Sequence, residues 1–194
     1  MRIALGGTAA NPAHYGHKKL VETIINLKCF DKIVWIVSGD RPDKPGLLPA
    51  IDRWRMTRFL ITDPRVDVTY EEGTAIPTVE VIRKAQKDFP HACITWYCGL
   101  DHFVARDQFD GLCNIEGFWH EGERLMKKQH FLIVKRKGLE RSVIRYPRNY
   151  TLIDGGVPDI SSTLIRQRLA DGLDSTFYTS QAVLDYIEQQ QLYT

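Results

Sequence analysis

No stretch of the 194 residues approaches the roughly 18 consecutive apolar residues that a membrane-spanning helix needs. The opening run, Met1-Arg2-Ile3-Ala4-Leu5, passes directly into glycines and holds no apolar segment long enough for a secretion signal. Cysteine is sparse. Cys29, Cys93, Cys98 and Cys113 form no CxxC pair, which argues against a zinc ribbon or a disulfide framework and predicts free, buried thiols. A soluble, cytoplasmic protein with no membrane partner is expected. An excess of one charge sign is missing too: Lys+Arg 26 against Asp+Glu 24 gives a formal net charge of +2. That balance excludes a protein that holds nucleic acid or anionic lipid through bulk charge, so any anion site must be local. Internal repeats and low-complexity tracts are absent as well.

What is present is ordinary globular composition, 43% hydrophobic and 26% charged. A chain of this length buries roughly 70% of its unfolded surface, enough for one self-sufficient domain spanning 1–194. Short β-branched or aromatic runs alternate with segments of helical period. Strands are predicted at 2–5, 32–37, 66–70, 92–98, 130–134 and 150–153. Helices are predicted at 17–28, 51–62, from Pro77 to about 87, and at 162–170 and 180–190. The runs 32–37, 92–98 and 130–134 are almost continuously apolar, as in strands covered on both faces. This alternation predicts an α/β fold: a Rossmann-like, doubly wound, mostly parallel sheet with helices on both faces. Ligands in such sheets sit beyond the carboxyl ends of the strands. Residues 41–49 read as a surface loop, 102–122 as an inserted, irregular loop or lid, and 159–194 as a helical C-terminal part.

Two segments carry the chemistry. The first, Gly6-Gly7-Thr8-Ala9-Ala10-Asn11-Pro12-Ala13-His14-Tyr15-Gly16-His17, follows the first strand and leads into a helix predicted to start near Gly16-His17. Its first turn carries His17, Lys18 and Lys19 and no acid, so the dipole's positive end meets cations. A bound phosphate resolves that conflict. A metal pair formed by the two histidines, or a plain turn, are the competing readings, and the sequence shows no third ligand cluster near them. The second segment, Pro158 to Arg166, offers Ser161 or Ser162 as N-cap without a capping-box acid, while Arg166 and Arg168 add positive charge. Two anion-receptive helix starts at opposite ends of one chain suit a polyphosphate held between them; an ordinary capped helix is the alternative for the second.

Gly-Gly-Thr…His-x-Gly-His together with Ile160-Ser-Ser-Thr-x-Ile-Arg166 resembles the nucleotidyltransferase superfamily, and within it the bacterial nicotinate-nucleotide adenylyltransferases. Gly99-Leu100-Asp101, Pro42-Asp43-Lys44, Arg53 with Met56, Trp119 ahead of His130–Val134, Arg136 after that strand, and Tyr186-Ile187…Leu192-Tyr193 extend the resemblance almost end to end. It implies adenylyl transfer from ATP to nicotinate mononucleotide, giving deamido-NAD and pyrophosphate, with Mg²⁺ carried by the ATP phosphates and no protein metal site. Nicotinamide mononucleotide or phosphopantetheine as acceptor, or a non-catalytic nucleotide-binding module, are the rival readings. The resemblance implies that His14, His17 and Arg166 act on the reacting phosphates. It places Gly7, Thr8, Gly99, Asp101, Ser161, Ser162 and Thr163 with them around ATP. Asn11, Lys44, Thr78, Trp119 and Arg136 fall on the mononucleotide side, where Trp119 stacks on the pyridine ring or serves as a core or lid aromatic. The chain departs from the family in three places. Its glycine loop is one residue longer, with Asn11 where the family has an acid. Ile76-Pro77-Thr78 replaces Ser-Tyr-Thr, and the stretch between Asp101 and Trp119 is longer. A homo-oligomer is compatible with the sequence; no nucleic-acid partner is expected.

Overall fold

Six strands, all parallel, form the spine of the molecule in the order β3-β2-β1-β4-β5-β6. They are β1 (Arg2–Thr8), β2 (Lys32–Val37), β3 (Val66–Tyr70), β4 (Cys93–Gly99), β5 (His130–Arg136) and β6 (Asn149–Val157). The computed structural model describes residues 1–136 and 143–193, Arg136 by its backbone alone. Helices α1 (Tyr15–Asn26), α2 (Ala50–Leu60) and α3 (Thr78–Asp88) follow the first three strands in turn. Short α4 (Asn114–Gly117) and α5 (Gly122–Lys128) lie between β4 and β5, and α6 (Ser162–Ala170) and α7 (Gln181–Gln189) close the chain. This is the doubly wound α/β architecture expected from the alternation.

Strand pleating sorts the apolar residues into two cores. Ile3, Leu5, Trp96, Phe131 and Ile133 pack on one face with Val79, Leu125 and Met126, while Ala4, Trp35, Tyr97 and Leu132 pack on the other with Val21, Ile24 and Ile61. A third cluster joins α2 to α7 through Met56, Leu60, Val183 and Ile187. This last contact carries the C-terminal helix back toward the start of the chain.

Four expectations are corrected. Strand β1 does not stop before Gly6-Gly7 but continues to Thr8, paired with Trp35, Ile36 and Val37. Glycine is required there because a Cβ on Gly7 would collide with the carbonyl of Ile36. Pro77 is the N-cap of α3, extended at ψ 136, rather than its first helical residue. The segment 102–122 is not irregular: 3₁₀ turns at Leu100–Phe103 and Asp107–Phe109 lead into α4, and Phe103, Cys113 and Ile115 are fully buried in the first core. Its elements are too short for periodicity to register. Arg83 of α3 fastens the segment's end by pairing with both Glu80 and Glu121, and Arg145 pairs with Glu116 at 2.7 Å. All four cysteines are free, but only Cys98 and Cys113 are buried; Cys29 is half-buried and Cys93 exposed.

Candidate active site

The chain turns outward from β1 to β2 and β3, then returns to place β4 on the other side of β1. The carboxyl ends of β1 and β4 therefore diverge into a crevice, the position where doubly wound sheets bind ligands. Helix α1 begins beside it, two residues earlier than its apolar pattern suggests, with His14 as N-cap in an extended conformation. His17 thus falls at the third helical position and takes the place of the usual capping-box acid. The His14 backbone N–H donates to His17 Nδ1 at 3.3 Å, and the two rings stack with centroids 3.6 Å apart. With Nδ1 accepting, the proton of the neutral His17 ring resides on Nε2. Gly16 completes the arrangement: a Cβ there would stand 2.9 Å from His14 Nδ1, so only glycine leaves the ring its place.

The loop joining β1 to α1 is held by its carbonyl groups. Arg53 Nη1 donates to the Ala9 carbonyl at 2.7 Å and Arg166 Nη1 to that of Asn11 at 2.7 Å. Ser162 Oγ donates to the Pro12 carbonyl at 2.8 Å and Thr179 Oγ1 to that of Ala13 at 2.8 Å. Four oxygens that would repel a phosphate are thereby satisfied by donors from three separate parts of the chain. Arg53 is 0% exposed and also donates to the carbonyls of Leu48 and Gly39. The sequence resemblance singled out Arg53 without a role; Thr179 carried no signal, because a lone threonine before a helix looks like any cap.

A cavity of about 490 Å³ opens beside this loop. Gly7, Thr8, His14, His17, Gly99, Asp101, Ser161, Ser162, Thr163 and Arg166, the residues expected around ATP, all line it. Ser161 is the N-cap of α6, its Oγ accepting from the Leu164 N–H at 3.2 Å, and no acid occupies that helix's first turn. A second cavity of about 560 Å³ adjoins the first, and Thr78, Trp119, Arg41 and Arg106 line it. The two share Gly7, Thr8, Lys44, Cys98, Asp101 and His102 as a common wall. Asn11 borders the first cavity rather than the second, and its amide is bonded within the protein, to Gly46, Leu48 and Tyr193. The side chain of Arg136 lies outside the described residues. Trp119 is half-buried and makes T-shaped ring contacts with Trp96, centroids 6.1 Å apart, and with His102, centroids 5.3 Å apart.

His102 is the residue that motif reading missed, although it directly follows Gly99-Leu100-Asp101. Its Nδ1 is sealed from solvent without a hydrogen-bond partner, and burial pushes the imidazole pKa below its ordinary value, against the pull of Asp101. Burial also lowers the pKa of Lys44, partly offset by Asp43 and Asp101. Burial pushes the Cys98 thiol well up, which keeps it protonated and unsuited to nucleophilic attack. Among the described residues, the one trio of His, Cys, Asp or Glu close enough to share a cation is Glu80, His120 and Glu121, and Arg83 already pairs with both of its acids. Among the described residues, the two histidines of the glycine loop belong to no such trio.

The switch-point crevice and the two acid-free helix starts beside it form a site suited to a polyphosphate. The cytidylyltransferase-like family model matches residues 5–168. A protein named "Probable nicotinate-nucleotide adenylyltransferase" from Thermus thermophilus is 32% identical over 200 aligned residues, covering all of both chains. A protein of the same name from Herpetosiphon aurantiacus is 28% identical, covering 99% of this chain and 98% of its own. The chain therefore belongs to the cytidylyltransferase-like family and, within it, to the nicotinate-nucleotide adenylyltransferases. The fold agrees: the nicotinic acid mononucleotide adenylyltransferase of Plasmodium falciparum, solved with NaAD, superposes with a TM-score of 0.81 at 22% identity, covering 99% of this chain and 97% of that one. Among the described residues, no helix is long and apolar enough to cross a membrane.

Proposed function

We propose that the chain, working in the cytoplasm as a single domain over 1–194, transfers the adenylyl group of ATP to the 5′-phosphate of nicotinate mononucleotide. An oxygen of the mononucleotide phosphate bonds to the α-phosphorus while the bond to the β-phosphate breaks, giving deamido-NAD and pyrophosphate. The observation that carries this reading is the shared wall. Two cavities of similar size meet at Gly7, Thr8, Lys44 and Asp101, where two phosphorylated substrates can be brought to one point. Such chemistry needs positioning and charge neutralisation rather than a covalent protein intermediate.

In this reading the triphosphate lies between the starts of α1 and α6. His17 directs Nε2–H and His14 its ring toward the α-phosphate, where negative charge builds in the transition state. Ser161, Ser162 and Thr163 offer the free N–H groups of α6 to the β- and γ-phosphates, with Arg166 beside them. Thr8 and Gly99 line the nucleoside. Across the wall, Lys44 approaches the mononucleotide phosphate and Trp119 stacks on the pyridine ring. Among the described residues, Asp101 is the one carboxylate that lines the first cavity, which suits Mg²⁺ carried in on the phosphates rather than caged by protein. When bound, Mg²⁺ supplies further neutralisation of the phosphate oxygens. A pyrophosphate-release assay with ATP, Mg²⁺ and each pyridine mononucleotide tests the proposal. Release with nicotinate mononucleotide in preference to the amide supports it; preference for the amide overturns the acceptor, and silence with both overturns the reaction.

A further inference from the structure

The last turn of the chain is built to reach the glycine loop. Helix α7 ends in a Schellman motif: the Gln191 N–H donates to Glu188 at 3.1 Å and the Leu192 N–H to Ile187 at 2.9 Å. Gln191, in the left-handed region at φ 51, fills the position that glycine usually occupies, and Tyr193 is left-handed as well at φ 62. Two non-glycine residues are thus held in a disfavoured backbone region by their surroundings. The consequence of these turns is that Tyr193 points back across the molecule and donates its hydroxyl to Asn11 Oδ1 at 2.7 Å, over 182 residues of sequence.

Asn11 is where three pieces of the site meet. Its side-chain oxygen also accepts the Leu48 N–H at 3.3 Å, its amide nitrogen donates to the Gly46 carbonyl at 3.4 Å, and its own carbonyl accepts from Arg166. It is 4% exposed. Asn11 therefore ties the glycine loop to the 41–49 loop that presents Lys44, and to the guanidinium of α6. The Tyr193 hydroxyl is the shortest of its side-chain bonds and the one that comes from outside the loops being aligned.

We propose that Tyr193 is a positioning residue for adenylyl transfer, holding the phosphate loop in place for ATP through Asn11. The inference rests on the nucleotidyltransferase reading, and the experiment separates the two. The unaltered protein, Tyr193→Phe, Asn11→Ala and the double variant are compared in pyrophosphate release, in calorimetric ATP binding and in thermal unfolding. Tyr193→Phe is expected to lower kcat/KM for ATP about tenfold and to weaken ATP binding several-fold, while the melting temperature falls by only about 2–4 °C, the effect of one hydrogen bond in a chain of this size. In the Asn11→Ala background the same substitution is expected to add less than about twofold, because the partner through which it acts is gone. A tyrosine that matters for stability alone would lower the melting temperature and leave ATP affinity intact, and that result overturns the proposal. So does a full additional tenfold loss in the double variant. If the unaltered protein released no pyrophosphate, the functional reading would fall; ATP binding by the same four proteins would still decide the role of Tyr193.

Discussion

Gly16→Ala pits helix propensity against the histidine pair. Gly16 is the second residue of α1, where alanine is intrinsically favoured over glycine by about 1 kcal/mol. The added methyl, however, would stand 2.9 Å from His14 Nδ1 and 3.0 Å from its Cε1, against an ordinary separation of about 3.5 Å or more. The backbone of α1 is fixed by its packing through Val21, Ile24 and Ile25, so the imidazole is the part that yields, by roughly half an ångström. A misplacement of about 1 Å can cost on the order of 100-fold in rate, so half of that predicts a fall in kcat of about tenfold. Stability changes little, since the propensity gain offsets the strain of the displaced ring. The assay is pyrophosphate release at saturating substrates beside thermal unfolding. A variant with kcat within about twofold of the parent, or one that melts more than about 5 °C lower, would refute the argument that glycine is there to seat His14.

Other substitutions probe the rest of the framework. Arg53→Met leaves the buried carbonyls of Ala9, Leu48 and Gly39 without their donor. It should destabilise the fold by about 3–5 kcal/mol in denaturant unfolding, and a loss below about 1 kcal/mol would contradict it. Trp119→Ala should raise KM for the mononucleotide by about 5- to 100-fold, the range for a lost base-stacking aromatic, with KM for ATP unchanged; equal effects on both substrates would remove it from the pyridine side. His102 has its pKa depressed by burial below the ordinary 6.5, so the unfolded chain binds its proton first as pH falls. Stability should therefore decline on lowering the pH below about 6.5, and His102→Phe should flatten that decline in melting temperatures; parallel pH profiles for the two proteins would exclude the buried, neutral imidazole.

Much of the fold was readable along the chain because each central strand is an apolar run of the right length. The strands at 32–37 and 66–70 begin and end where the alternation places them. Errors fall where local pattern and tertiary contact disagree. Glycines at positions 6 and 7 look like a strand end, yet the close approach of the neighbouring strands requires them inside the ladder. The segment 102–122 looks irregular because its helical turns are shorter than the window over which amphipathicity can be seen. Its burial of Phe103 and Ile115 depends on the sheet face beneath it.

The sequence by itself determined the alternating architecture and the two acid-free helix starts, since both follow from short-range propensity. It also carried the residues whose pattern marks the family. Only the tertiary structure decided what those residues touch. Asn11, read as a substrate contact, has its amide bonded to Gly46, Leu48 and Tyr193, and Arg53, Thr179 and Arg166 hold the carbonyls of the loop around it. Arg53, Arg166 and Thr179 stand 44, 155 and 166 residues away in sequence from the loop carbonyls they hold. Hydrogen bonds across such separations leave no periodicity to read: they exist because chain crossovers fold distant segments onto one crevice.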